Sequence, residues 1–141
     1  MIVRKRDGGF GYAATDLAAL RQRVGDLEYA HARVRSILAR AGDHEPAVDT
    51  GVPVRPEERD LILDLDGFAD TLTDVTAGFE PHRLCGYLYR LAQTFATFYE
   101  QCPVLRADPA VRGNRLTLCR LTGDTLRTGL SLLGIDAPDQ L

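Results

Sequence analysis

The chain has no tryptophan, a single lysine, one methionine, three histidines and three cysteines in 141 residues. Each scarcity narrows the chemistry. No run of eighteen or more apolar residues is present, so no transmembrane helix is expected. The basic opening, MIVRKRDGGFGYAATD, is not followed by an apolar stretch and does not read as a secretory signal. Cys85, Cys102 and Cys119 are odd in number and widely spaced, which predicts reduced thiols in a cytoplasmic protein rather than a disulfide framework. Paired short metal-ligand spacings are absent. His82 and Cys85, one helical turn apart, are too few for a zinc site, so no metal or other cofactor is expected.

Catalytic signatures are equally thin. Lysine and glycine occur near the start without the spacing of a phosphate loop, and no nucleophile elbow, zincin helix or dinucleotide fingerprint exists. His82 and Cys85 lack an orienting third residue, so they do not make a nucleophile pair.

What is present reads as a globular helical chain, 45% hydrophobic and 26% charged. Its length corresponds to one domain with a core of its own. The net charge of −3 is unevenly spread. Residues 1–41 carry eight basic against four acidic side chains, 42–80 two against eleven, and 81–141 seven against five. A local basic face can therefore exist on an acidic protein. Sixteen of the seventeen basic residues are arginine, which suits phosphate contact and base stacking, although a codon bias produces the same count.

Residues 2–5 and 10–13 flank Asp7-Gly8-Gly9 and predict a short β-hairpin over 1–14. A long first helix follows from Thr15, with a heptad seam at Leu17, Leu20, Val24, Leu27, His31, Val34, Leu38 and Ala41, closed by Gly42. His31 in that seam reads as a core histidine. Residues 42–55 form a loop, and Pro56-Glu57-Glu58 opens a second helix with Leu61, Leu65, Phe68, Leu72 and Val75 on one face. Its acids, including the DLDGFAD stretch at 64–70, read as a solvated face rather than a calcium loop. A third helix runs from about Glu80 to Gln101 and a fourth from about 110 to 133. The expected fold is all-α, a four-helix bundle over 15–141 preceded by the hairpin.

The third helix interleaves Arg83, Tyr87, Tyr89, Arg90, Phe95, Phe98 and Tyr99. Unpaired bases are read by stacking on such side chains beside phosphate-binding arginine, though aromatics at helical spacing are more often core.

These segments also carry a resemblance. LEYAHARVRSILARAG (27–42) resembles the opening helix of the anticodon-binding domain of arginyl-tRNA synthetases. EPHRLCGYLYRLAQTFATFYEQCPVL (80–105) and NRLTLCRLTGDTLRTGLSLLGIDAPDQL (114–141) resemble that domain's closing helices, and RKRDGGFGYAATDLAALRQR (4–23) is similar to a piece of the family's catalytic domain. The His-Ile-Gly-His and Lys-Met-Ser-Lys type signatures that hold ATP in the family are missing, so no aminoacylation is expected. The resemblance reads the unbroken seam as two former helices fused, with much of the nucleotide-binding fold deleted between them.

The resemblance further implies that an arginine-type tRNA is the partner. Tyr29, Tyr99 and the terminal Leu141, where the family commonly has methionine, stand at its anticodon-gripping positions. Tyr12 and Asp16 stand at its arginine-recognition positions. Arg33, Arg35 and Arg83 are candidate RNA-backbone contacts by chemistry rather than by motif. Two further readings follow from the same residues: a domain recruited as an enzyme or small-molecule binder in specialised metabolism, and a homodimeric interaction module using the heptad helix or the hairpin.

Overall fold

The computed structural model describes residues 12–78 and 80–137, the first nine of them by backbone alone. It contains five α-helices: α1 (Tyr12–Ala41), α2 (Pro56–Asp66), α3 (Phe68–Gly78), α4 (Pro81–Gln101) and α5 (Pro109–Leu132). The all-helical expectation holds. The hairpin's first run and its Asp7-Gly8-Gly9 turn lie outside the described residues. Its second run meets α1, where Tyr12 and Ala13 are already helical, so the helix starts three residues before Thr15. No helix among the described residues is long and apolar enough to cross a membrane.

The expected second helix is two helices. The backbone closes one turn at Gly67, whose N–H donates to Leu63 O at 3.2 Å, and α3 restarts at Phe68. In α3, Thr71, Thr73 and Thr76 turn their hydroxyls back onto carbonyls one turn earlier. Such back-bonding competes with the helix ladder and bends helices, which an apolar pattern alone does not register.

Helix α4 packs against every other helix. Its inner face places Leu84, Leu88, Leu91, Phe95 and Phe98 in the core. Arg23 lies over Tyr89 and Arg33 over Tyr99, a constant offset that makes α1 and α4 parallel neighbours. Leu88 meets Gly129 near the other end of α5, while Arg115 reaches Pro103 just past α4, so α5 returns antiparallel. Where α4 and α5 cross, a Cβ on Gly129 would stand 2.5 Å from Leu88 Cδ2, so the close approach requires glycine there.

The seam of α1 is used inside the bundle. Leu27, His31, Val34 and Ala41 are buried, but Leu38 is only partly so, and Ile37 is 2% exposed instead. Ile37 stands three residues after Val34 and four before Ala41, so it lies on their side of the helix and widens the buried stripe. The chain leaves α1 through Gly42, at φ +58°, the left-handed conformation that glycine adopts at no steric cost.

One buried ion pair ties three segments together. Glu58 accepts from Arg115 Nε at 2.7 Å and from the Arg55 backbone N–H at 2.7 Å, and Arg115 Nη1 donates to Pro103 O at 2.6 Å. Glu58 therefore caps α2 while anchoring it to α5, and is not part of a solvated acidic face. Asp64 departs from that expectation too. Its carboxylate accepts from the Thr94 hydroxyl at 2.6 Å and sits 3.4 Å from Arg90 Nε, and its backbone carbonyl accepts from Tyr87 Oη at 2.6 Å. Asp60, Asp66, Asp70 and Asp74 are exposed as expected.

Candidate nucleic-acid interface

The parallel packing of α1 and α4 creates a shallow groove of about 210 Å³, lined by Asp26, Tyr29, Arg33, Tyr89 and Phe95 among others. Tyr29 and Arg33 are one helical turn apart on α1 and point the same way. Tyr29 is 58% exposed, so its ring is available to a ligand. Arg33 lays its guanidinium over the Tyr99 ring at 4.6 Å from the centroid. The underside of Tyr99 stacks on Phe95, at 6.3 Å between centroids and 19° between planes. Phe95 is buried, so the stack Phe95–Tyr99–Arg33 runs from the core to the surface and holds the arginine in place. Farther along, Arg23 over Tyr89 at 5.5 Å repeats the arrangement.

This face offers an exposed aromatic plane, two oriented guanidinium groups and a single carboxylate. It suits a flat, π-rich ligand with negative charge nearby. It holds no matched acid and base.

The structure sorts the expected site residues. Tyr29, Arg33 and Tyr99 come together. Arg35, two residues on, faces the other side of α1 and lines a different cavity. Arg83 pairs with Glu80 at the start of α4. It stands sixteen residues before Tyr99, about 24 Å along the helix, and does not belong to the groove. Tyr12 and Asp16 lie one turn apart in the first turns of α1, their side chains outside the described residues, as is Leu141. Of the other aromatics on α4, Tyr87, Phe95 and Phe98 are core, which leaves Tyr89 and Tyr99 for contact. Arg23 and Tyr89 form the pairing that sequence reasoning missed; the shared offset of ten residues becomes meaningful only once α1 and α4 are known to be parallel.

The thiols are silent. All three cysteines are free and buried, and burial pushes Cys119 up to about 12 and raises Cys85 and Cys102 as well. His82 is exposed while Cys85 is not, and no group of three or more metal-ligating side chains exists among the described residues.

The chain as a whole is similar to known proteins. The pattern of the DALR anticodon binding domain matches residues 27–141. The chain is 56% identical over 115 residues to the arginine–tRNA ligase of Frankia casuarinae and 50% identical over 117 residues to that of Streptomyces avermitilis; each alignment covers 82% of this chain and 20% of the relative. Among solved structures, the arginyl-tRNA synthetase of Thermus thermophilus superposes with a TM-score of 0.76 at 38% identity, over 82% of this chain and 20% of that one. The chain thus spans about a fifth of the length of the relatives it matches.

Proposed function

Because the chain belongs to the DALR anticodon binding domain family, we propose that it binds the anticodon stem-loop of an arginine-type tRNA through the α1/α4 groove. Tyr29 supplies the stacking plane and Arg33 and Tyr99 flank it, and the family resemblance assigns Leu141 to the same loop. The observation that carries this reading is the surface stack of Arg33 on Tyr99 beside an exposed Tyr29. An aromatic plane held next to a fixed cation is what an unpaired base and its phosphate require. The relatives' names, arginine–tRNA ligase, supply the tRNA type.

We propose also that these 141 residues act as a cytoplasmic tRNA binder and do not themselves carry out aminoacylation. The ATP-holding signatures are absent from its sequence, and residues 1–14 are read as a remnant of a catalytic domain. A homodimer through the heptad helix has little to support it, because Leu27, His31, Val34 and Ala41 are already buried within the bundle.

The test is binding of the purified protein to arginine-type tRNA in parallel with Tyr29→Ala and Tyr99→Ala variants. Stacking of one base is worth about 1–3 kcal/mol, so Tyr29→Ala should weaken binding roughly tenfold or more. Wild-type affinity in both variants would remove the groove from the account.

A further inference from the structure

On the side of α1 away from the groove lies a second concavity, of about 420 Å³, walled by α1, the loop after Gly42 and the middle of α5. Arg35 enters it from α1, Arg120 and Arg127 from one face of α5, and His44 from the loop, while His31 forms a wall and is 1% exposed. The volume lies within the usual range for small-ligand sites.

The cavity is held open by the fold rather than by its charges. Gly123 permits α5 to approach Val34, since a Cβ there would stand 2.9 Å from Val34 Cγ1. The loop that forms the rim is fastened to α5. Ala47 N–H donates to Gly113 O at 3.2 Å, the Thr117 hydroxyl donates to Ala47 O at 3.1 Å, and Asn114 exchanges two hydrogen bonds with the Asp49 backbone at 2.7 and 2.9 Å. His44 is thereby carried on a strap whose two ends are fixed.

Three arginines face two acids, Glu45 and Asp124, and Asp124 is engaged by Arg127 at 3.3 Å. The cavity between α2 and α4 has the opposite balance, with Arg90 against Glu57, Asp60 and Asp64, and the α1/α4 groove holds Arg33 against Asp26. In a chain of net charge −3, the described side chains that line this cavity include more arginines than carboxylates. Guanidinium groups that line one cavity from two helices suit a phosphoryl oxyanion, whose several oxygens can accept from different side chains.

We infer that this cavity binds a phosphoryl group, held by Arg35, Arg120 and Arg127. The group can arrive as a phosphate of an RNA backbone or on a free small molecule. Residues 33 and 35 are about 200° apart around α1, so the site shares no arginine with the α1/α4 groove and stands whether or not that groove binds tRNA.

The test uses the full chain in an NMR titration with inorganic phosphate and pyrophosphate, following the arginine Nε–H signals and the amides of His44 and Glu45. Saturable shifts are expected at Arg35, Arg120 and Arg127. Arg35→Gln and Arg120→Gln, both at exposed positions, should each weaken binding roughly tenfold, while Arg33→Gln leaves it unchanged. A second arm adds an anticodon stem-loop hairpin to the pyrophosphate-bound protein. Displacement of pyrophosphate assigns the site to the RNA backbone; retention of both assigns it to a free small anion. No saturable shift by about 1 mM pyrophosphate, the weak end of specific affinity, would overturn the inference. So would shifts that persist unchanged in both Arg35→Gln and Arg120→Gln.

Discussion

Two kinds of buried group decide how single residues respond to change. Cys119 and Tyr87 are held protonated in the fold, each pushed up to about 12, Cys119 by burial and Tyr87 by burial with help from the Asp64 carboxylate. In the unfolded chain they titrate near 9 and 10. Between those values and 12 the unfolded chain has lost protons that the native chain keeps, so stability falls as pH rises; below pH 9 the full contribution is present. Thermal denaturation should show Tm declining above about pH 9, by up to about 1.4 kcal/mol per pH unit for each group, and Cys119→Ala should flatten the first part of that decline. At neutral pH a thiol reagent should label none of the three cysteines rapidly until denaturant is added. Glu58 poses the opposite problem, a charge that must stay paired. Glu58→Ala leaves Arg115 buried beside nothing but the Pro103 carbonyl, and urea unfolding should show a loss of about 3–5 kcal/mol. Glu58→Ala with Arg115→Leu should recover most of it. The pair was hidden in sequence because Pro-Glu-Glu is how many exposed helices begin. Only the partner fifty-seven positions away distinguishes Glu58 from its neighbour Glu57.

At the scale of elements, the α4/α5 crossing is set by what glycine leaves out. Gly129→Ala forces a methyl to within 2.5 Å of Leu88 Cδ2, on a side chain that is fully buried. A cost of about 1–3 kcal/mol is expected, read as a lowered urea midpoint with an unchanged m-value. Helix starts and stops were largely legible, because Pro56, Pro81 and Pro109 open three helices and Gly42 and Gly134 follow two ends. The break at Gly67 was not. Leu61, Leu65, Phe68 and Leu72 keep helical spacing straight across it, so the periodicity shows one apolar face where the backbone makes two helices. Leu121 illustrates the converse, in register with its neighbours on α5 yet 48% exposed. Periodicity reports which residues could share a face, whereas the number of faces covered depends on which helices arrive.

For the molecule as a whole, the same distinction separates the readable part of the interface from the rest. Tyr29 and Tyr99 were named from the resemblance, and Arg33 from its chemistry rather than from a motif. Arg35 and Arg83 were grouped with them as cations near aromatics in sequence. The fold then sends Arg35 to the opposite side of α1 and Arg83 to the far end of α4, since a helix distributes side chains that are close in number around and along its axis. Net charge was also a poor guide. An overall −3 conceals an α1/α4 face where guanidinium groups lie on tyrosine rings, because the acids concentrate on α2 and α3. The α1/α4 face is proposed to recognise an anticodon loop rather than nucleic acid in general. The most direct test compares two stem-loops with identical stems, one with an arginine anticodon loop and one with an unrelated loop, each titrated at low and raised salt. Contacts to shared phosphates should weaken equally for both as salt rises, while base stacking should preserve the preference. Tighter binding of the arginine loop is expected at both salt concentrations, with Tyr29→Ala abolishing the difference. Equal affinity for the two loops, or no binding of either at low salt, would contradict it.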